Sequence, residues 1–396
     1  MKRNIKQTKR VAVAFLNWVI LLVIFFIGSI ALFNWLANPY RIFSTNNAET
    51  WSGLKPRPEQ LQPELRMELA RQAKGKTLFF GNSMFEIGID PQSPLLATNE
   101  IRGFNFALAG AGLTASTKGL ESYLRANKPT RAIISASFDD HISQRNNSVQ
   151  NSSAEMPDYF NKGKLVALSL LGVEATLDSM KSLTLHLRKY PQSLTALGHN
   201  PMHDFEGYAV NSGYRVLFNT ANQRIRSSFS KAKGSKPEDP TAENSVALAE
   251  LEYLAKLLLS VGAEVTIVIN PTHMNYLESI EESGLMDRFQ AWKGSVARLS
   301  ENLKIRAIDF GCEGALLSET IPEKGDRKTP MTYYWDAQHY KANVGSLMVL
   351  GILSSDSAII DQDKLIGLQL FSTSIFEHNA RCLKTLHNYK KTLGVN

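Results

Sequence analysis

Cysteine is nearly absent from this chain. Among its 396 residues only two are cysteine, Cys312 and Cys382, which is too few for a dense disulfide framework of the kind that supports small secreted domains. In an oxidising compartment the two could pair, or they could remain separate buried thiols, and their positions in the sequence do not decide between these states. No internal repeat is evident, so a repeat architecture is not predicted.

Charged side chains are absent from residues 11–40, and residues 11–37 consist mainly of Val, Leu, Ile, Phe and Ala. As a helix, this run is long enough to cross the roughly 30 Å hydrocarbon core of a bilayer. It is also longer than the apolar region of a cleaved signal peptide, which usually has about 7 to 15 residues. We therefore predict an uncleaved transmembrane helix over residues 11–37.

The ten residues before this helix are strongly basic, with Lys2, Arg3, Lys6, Lys9 and Arg10. By the positive-inside rule, such a tail, residues 1–10, stays in the cytoplasm and the rest of the chain faces outward. We expect a single-pass protein of the inner (plasma) membrane with a periplasmic or extracellular main domain.

A basic surface for nucleic acid is also missing. The net charge is +7, but five of these positive charges precede the apolar helix, which leaves +2 for the outward portion. Acidic and basic residues are interspersed there, whereas nucleic-acid binding needs clustered basic side chains. The locally basic stretch 224–236 is interpreted as a solvated loop. We predict no nucleic-acid partner.

Apolar strand-like runs alternate with helical patterns in the outward portion. Strands are predicted at residues 77–80, 103–108, 131–137, 264–270 and 305–310, and helices at 64–73, 242–260 and 286–303. This alternation is typical of a parallel sheet covered by helices on both faces. The predicted fold class is therefore α/β, with a three-layer α/β/α parallel sheet.

The alternation stops between about residues 141 and 240, where Ser, Asn, Lys and aromatic residues are frequent. We interpret this segment as an inserted cap, helical around residues 164–188, with mobile stretches at 148–154 and 227–240. The other predicted boundaries are a linker and lead-in helix at 38–74, an α/β domain at 75–355, and a C-terminal helical tail at 356–396. Two amphipathic helices are expected in that tail.

Small and polar residues follow the predicted strands. Ser83 follows the first strand, Gly110 the second and Asp139 the third. Because ligands of open α/β sheets bind outside the carboxyl ends of the strands, we expect these residues to lie close together. Asp336 and His339, three residues apart near the far end, complete a possible triad in which the imidazole takes the serine proton and the carboxylate orients the imidazole.

Each of these residues also has a purely structural interpretation. Ser83 is compatible with an ordinary turn after a strand, and Gly110 with a position that needs a positive φ. Asp336 is compatible with a helix N-cap that has His339 in the first turn.

Three further histidines have either a structural or a ligand-binding interpretation. His273 follows the fourth strand, where it is either a pocket wall or a structural histidine. His199 and His203, with the adjacent Asp204, offer metal-ligand atoms but lack a third distant ligand. We therefore predict no metal site.

Three short blocks of this sequence resemble the SGNH (GDSL-type) hydrolase superfamily, and within it the membrane-anchored SGNH-like proteins associated with cell-surface polysaccharides. Gly81-Asn-Ser-Met84 is similar to the first block, Asn105-Phe-Ala-Leu-Ala-Gly110 to the second, and Trp335-Asp-Ala-Gln-His339 to the last. The resemblance covers residues 77–353 with an interruption. The blocks occur in the family's order, and the first two lie at strand ends.

The resemblance implies a role for each matching residue. Ser83 would be the nucleophile, His339 the base and Asp336 its orienting carboxylate, while the N–H groups of Ser83 and Gly110 would form the oxyanion hole. This mechanism requires no cofactor. The candidate substrate-binding residues are Asn82, Asn105, Asp139 and His273.

One block departs from the family pattern. Its third block normally supplies an Asn side chain to the oxyanion hole, but the matching segment 135–141 has no Asn and carries Asp139. A carboxylate there would repel developing negative charge, and loss of one oxyanion donor typically costs on the order of 10²–10³ in rate.

Two functions follow as expectations. The first is a serine esterase or O-acyl (acetyl) transferase that acts on a cell-surface or exported polysaccharide. The second is a catalytically degenerate, membrane-anchored component of a polysaccharide biosynthesis or export complex, which binds glycan or other membrane proteins of that assembly.

Overall fold

The chain divides into two compact units, and each is described by itself. A computed structural model describes residues 2–43, 62–117, 120–142, 162–188, 193–234, 245–353 and 364–394. The first unit comprises Met1–Leu61 and Phe160–Leu194, and the second comprises Gln62–Tyr159 and Thr195–Asn396. Part of the predicted linker (44–61), the predicted mobile stretch 148–154 and the start of the predicted tail (356–363) lie outside the described residues.

The described helices are numbered in chain order. They are α1 (Lys2–Ala37), α2 (Gln62–Ala73), α3 (Ser83–Gly88), α4 (Pro94–Thr98), α5 (Leu113–Thr117), α6 (Leu120–Ala126), α7 (Phe138–Ile142), α8 (Lys162–Leu171), α9 (Val173–Arg188), α10 (His203–Ser212), α11 (Tyr214–Gly234), α12 (Val246–Ser260), α13 (Met274–Glu282), α14 (Met286–Leu303), α15 (Ala342–Leu353) and α16 (Ile375–Thr392).

The described strands form one sheet. They are β1 (Thr77–Phe80), β2 (Gly103–Asn105), β3 (Arg131–Ala136), β4 (Glu264–Ile269), β5 (Arg306–Glu313) and β6 (Ile366–Gln369). Two short 3₁₀ turns, Ala315–Ser318 and Ser372–Ser374, follow β5 and β6 respectively.

The first unit contains the apolar N-terminal helix. Within the described residues one helix, Arg10–Ala37, is long and apolar enough to cross a membrane. This agrees with the prediction of a helix over residues 11–37. Its large apolar side chains, including Phe25 and Phe26, are exposed, as expected for a surface whose solvent is lipid.

The same unit contains the hairpin of α8 and α9, which packs against the end of α1. The Asn34 side-chain amide donates hydrogen bonds to the Leu170 carbonyl at 2.8 Å and to Thr176 Oγ1 at 2.9 Å. Tyr40 Oη donates to Asp178 Oδ2 at 3.0 Å. The hairpin is part of the predicted cap, about residues 141–240. It belongs to the same unit as α1, and polar side chains near the end of α1 have their partners in it.

The second unit is built on a mixed sheet with the strand order β2-β1-β3-β4-β5-β6. The first five strands are mutually parallel, and β6 pairs antiparallel with β5. The α/β class is therefore confirmed, but the expectation of a purely parallel sheet is wrong at one edge. β6 alternates between half-buried and exposed residues, which is typical of an edge strand with one face toward the core.

The strand order explains where a site should form. An order of 2-1-3-4-5 reverses direction between β1 and β3, and ligands of open α/β sheets bind at such a switch point beyond the carboxyl ends of the strands. All four residues of β1 are buried, as are the last five of β3 and of β4. These strands form the centre of the core beside the switch point.

Two segments differ from the sequence prediction. Residues 224–234 are helical as the end of α11, not a solvated loop, because Phe218, Ile225 and Phe229 repeat at helical spacing and are buried. The described part of the tail contains β6 and one helix, α16, where two helices were expected.

Cys312 on β5 and Cys382 on α16 form a disulfide, with their Cα atoms 4.5 Å apart. Lys293 Nζ lies 2.6 Å and His378 Nε2 lies 2.9 Å from Asp309 Oδ2 beside it. Burial alone would raise the pKa of Asp309, but the Lys293 ammonium and His378 hold it well below its usual range. Asp309, His378 and both cysteines place one ligand atom each within 4.8 Å of one another, a spacing that could hold a metal ion. However, the sulfurs of a disulfide are not thiolate ligands, and Lys293 already neutralises the charge of Asp309. We therefore do not assign a metal site to this cluster.

Candidate active site

Ser83 is the first residue of α3, directly after the turn that ends β1. The Asn82 side chain caps this helix, because its Oδ1 accepts a hydrogen bond from the Met84 N–H at 3.0 Å. The turn needs glycine at position 81, since an added Cβ would lie 2.7 Å from the Cβ of Ser135. The local sequence therefore fixes the direction in which Ser83 leaves the sheet.

Asp336 and His339 lie in a tight loop that is closed by a β-bridge between Tyr334 and Tyr340. The Trp335 N–H donates to the His339 carbonyl at 2.8 Å. Asp336 Oδ1 accepts the backbone N–H of His339 at 2.9 Å. These bonds hold Asp336 and His339 in a fixed arrangement within the loop.

Close packing of two glycines brings the two segments together. Gly88 ends α3, and an added Cβ there would collide with the ring of Tyr340. Gly345 lies on α15, just beyond the loop, and an added Cβ there would collide with the Gly88 carbonyl. The helix that begins with Ser83 and the helix that follows His339 therefore approach backbone to backbone.

The result is a hydrogen-bonded chain of three side chains. Ser83 Oγ lies 2.9 Å from His339 Nε2, across 256 positions of the sequence. His339 Nδ1 lies 2.9 Å from Asp336 Oδ2. Because an ionised carboxylate can only accept, the hydrogen belongs on Nδ1, which leaves Nε2 free to accept the Ser83 proton. This is the arrangement that activates a serine nucleophile.

The charges around the imidazole set its basicity. Burial by itself would lower the pKa of His339, but the Asp336 carboxylate outweighs burial and the pKa is raised above its ordinary value. The pKa of Asp336 is correspondingly lowered, against the effect of its burial, by His339 and by backbone N–H groups. Arg224 Nη2 lies 4.0 Å from Asp336 Oδ2 and opposes the rise at His339.

Gly110 offers a backbone donor at the surface. It is exposed and has a φ of +71°, a conformation that favours glycine. Within the described part of the chain, neither the Gly110 N–H nor the Ser83 N–H has a hydrogen-bond acceptor. The loop is tied to the serine helix, because Glu86 Oε2 accepts the N–H of Ala109.

Two of the candidate substrate-binding residues are scaffold residues in this structure. Asn105 is fully buried, and its amide donates to the carbonyls of Phe85 and Ile89 at 2.7 Å and 2.9 Å. His273 is also fully buried; it caps α13 through Asn275 N–H, and its Nε2 lies 2.8 Å from the Glu319 carbonyl. Burial lowers the pKa of His273 to about 4. Neither side chain is open to a substrate, which corrects that expectation.

Asn82 and Asp139 are half-buried beside the triad. The Asn82 amide donates to Asp140 Oδ2 at 3.0 Å, so it is held in place while capping α3. Asp139 Oδ2 accepts from Tyr276 Oη at 2.9 Å and from Gln338 Nε2 at 2.7 Å. Burial raises the pKa of Asp139 to about 6, against the lowering effect of the Tyr276 hydrogen bond.

Four residues of this site were not identified from the sequence: Glu86, Arg224, Tyr276 and Gln338. Glu86 lies one helical turn after Ser83, and Gln338 lies inside the Asp-Ala-Gln-His block, so both were within the motifs. The helical periodicity of α11 was the available signal for Arg224. No local pattern points to Tyr276, whose contact with Asp139 spans 137 positions.

Comparison of the chain with models of protein families, with curated protein sequences and with solved structures finds no match. The fold and the site by themselves define an α/β protein that has one apolar N-terminal helix and a Ser–His–Asp arrangement at the carboxyl edge of its sheet.

Proposed function

We propose that this protein is a membrane-anchored serine esterase or O-acyl transferase with an SGNH-like three-layer domain. Its substrate would be an O-acylated, most simply O-acetylated, polysaccharide at the cell surface or on its way there. The observation that carries the proposal is the hydrogen-bonded chain from Ser83 through His339 to Asp336, with both contacts at 2.9 Å.

The first half of the reaction forms an acyl-enzyme. His339 Nε2 accepts the Ser83 hydroxyl proton while Ser83 Oγ attacks the acyl carbonyl carbon, and Asp336 stabilises the resulting imidazolium. The oxyanion is stabilised by the N–H groups of Ser83 and Gly110. The bond to the sugar oxygen then breaks, and His339 returns the proton to that oxygen.

The second half releases the acyl group. His339 takes a proton from water or from an incoming sugar hydroxyl, whose oxygen attacks the acyl carbon on Ser83. The ester bond to Ser83 breaks, and the proton returns to Ser83 Oγ. Water as acceptor gives a hydrolase and a sugar hydroxyl gives a transferase, with the same protein groups in both.

The apolar N-terminal helix supplies the proposed location of the protein. With the basic tail retained in the cytoplasm, α1 would span the inner (plasma) membrane and the sheet-bearing unit would face the periplasm or exterior. The proposed partners are accordingly the membrane, a polysaccharide and other membrane proteins of polysaccharide assembly.

Turnover of p-nitrophenyl acetate by the full chain in detergent tests the proposal. Wild type should release p-nitrophenol, while Ser83→Ala and His339→Ala should fall to background. The matched control is His203→Ala, which removes a partly exposed imidazole paired with Glu206 and should keep wild-type turnover. Equal rates in all four proteins would refute the triad.

One observation favours a second candidate, a catalytically degenerate glycan-binding component. Asp139 stands in the block that would carry an oxyanion-hole Asn, and a carboxylate has no amide N–H to donate to an oxyanion. If wild type turns over no ester but binds acetylated xylan in calorimetry, and Ser83→Ala binds it equally, the binding function replaces the enzymatic one.

A further inference from the structure

The hairpin of α8 and α9 exposes large apolar side chains, while small or polar side chains of α9 are buried. On α9 the buried positions are small or polar: Ala175, Asp178, Ser179 and Ser182. Its outward stripe is apolar, and Val173, Leu177, Met180 and Leu187 are 75%, 46%, 55% and 72% exposed. Val173, Leu177 and Met180 repeat at helical spacing and form one apolar face, which the exposed Thr184 separates from Leu187. A helix in water normally buries such a face.

The tip of this hairpin also exposes large apolar side chains, beside the exposed Glu174. Leu171 ends α8 and is 53% exposed, and Val173 begins α9. Leu168, one turn earlier on α8, is also exposed. Adjacent exposed apolar residues of this kind mark an interaction surface.

The contacts of α1 set the level of the tip relative to the membrane. Asn34 binds the tip through the Leu170 carbonyl and Thr176, whereas Tyr40, further along the chain, binds Asp178. The tip is therefore the end of the hairpin nearest the apolar span, and α9 leads away from it.

The length of α1 determines how deep the hairpin tip would lie in the membrane. At 1.5 Å per residue, the helix rises roughly 35 Å between Val11 and Asn34. The hydrocarbon core is about 30 Å thick, and about 40 to 45 Å with the headgroups. With Val11 at the cytoplasmic edge of the core, Asn34 and the attached tip lie in the outer headgroup layer. Leu171 and Val173 are then within reach of the acyl chains.

We propose that the tip of the α8–α9 hairpin inserts Leu171 and Val173 into the outer face of the membrane that α1 spans. The hairpin would work with α1 as a second, shallow contact with lipid, in the manner of interfacial amphipathic helices. This inference rests on the membrane anchor of the proposed function but not on its catalysis.

Depth-dependent fluorescence quenching tests the insertion. The full chain, with its native disulfide intact, receives one new cysteine at a time, Leu171→Cys, Val173→Cys, Phe25→Cys or Arg188→Cys, and each is labelled with an environment-sensitive fluorophore. Proteins are reconstituted in vesicles of phosphatidylcholine with a minor fraction of phosphatidylglycerol. Parallel vesicles contain phosphatidylcholine that carries a doxyl quencher at a shallow or a deep chain position.

The expected result is a blue-shifted emission at positions 171 and 173, with loss of emission mainly to the shallow quencher. Position 25, inside α1, should respond mainly to the deep quencher. Position 188, at the far end of α9, is the matched control on the same hairpin and should retain the emission it has in water.

Three results would overturn the proposal. If positions 171 and 173 behave like position 188 while position 25 is quenched, the hairpin does not insert although the anchor does. A blue shift at 171 and 173 without quenching by either lipid would show contact with protein instead of lipid. Absence of quenching at position 25 would refute the anchor itself, and the hairpin proposal with it.

Discussion

At the scale of single residues, the pKa of His339 reflects burial, which lowers it, together with the nearby charges of Asp336 and Arg224. Asp336 raises the pKa of the imidazole, and Arg224 lowers it. Catalysis needs neutral His339, so turnover should be lost as the pH falls through this raised pKa. The acidic limb of the activity profile should therefore lie at higher pH than an unperturbed histidine would give.

Changes at the two charges should move that limb in opposite directions. Asp336→Asn should lower the pKa of His339 and shift the limb to lower pH, while reducing turnover on the order of 10⁴-fold because the tautomer is no longer held. Arg224→Ala should shift the limb to higher pH with turnover largely kept. The measurement is p-nitrophenyl acetate turnover against pH.

A control for the arginine lies on the same helix. Arg226 pairs with Glu282 at 2.5 Å, so Arg226→Ala removes an equal charge without removing the contact to Asp336. It should leave the acidic limb where it is in wild type. Identical shifts in the two arginine variants would show that Arg224 has no specific effect on His339.

At the scale of secondary-structure elements, the site depends on how closely α3 approaches α15. Gly345→Ala places a methyl group against the Gly88 carbonyl, and such overpacking typically costs about 1–3 kcal/mol. We expect a lower free energy of unfolding in urea together with a loss of turnover, because the serine helix is displaced from the His339 loop.

Gly207→Ala provides the comparison. Gly207 lies within α10, and an added Cβ there meets nothing within 4 Å, so stability should be unchanged or slightly higher. If Gly345→Ala keeps both wild-type stability and wild-type turnover, the close approach of the two helices does not hold the site together.

The disulfide also acts at this scale, since it links β5 to α16 across 70 positions. The double variant Cys312→Ser/Cys382→Ser should lose about 4 kcal/mol of unfolding free energy by the chain-entropy account. Reductant present throughout unfolding should bring wild type to the level of the variant. A variant as stable as oxidised wild type would contradict the linkage.

Sequence patterns predicted the elements whose hydrophobic pattern is strong. β1 and α14 have the predicted ends, and β3 and β4 differ by one residue. β6 was missed because four residues on a sheet edge carry little pattern. The three triad residues were identified from their motifs, but their meeting depends on the contact between Gly88 and Gly345. Contacts between distant segments of this kind leave no local signal.

At the scale of the whole molecule, the account predicts one crossing of the membrane. The full chain should resist extraction by high salt and alkaline carbonate and should require detergent. Protease added to sealed vesicles with the outer face exposed should digest the sheet-bearing unit and leave a short fragment with the N-terminal tail. Protection of the whole chain in such vesicles would reverse the predicted topology.

The central claim is that Ser83 is a nucleophile activated by His339. The most direct measurement is mass spectrometry of the full chain after brief exposure to p-nitrophenyl acetate and acid quenching, followed by peptide mapping. The account predicts one acetyl group on Ser83 in wild type and none in Ser83→Ala or His339→Ala. An unmodified Ser83 in wild type, or equal acetylation in His339→Ala, would contradict it.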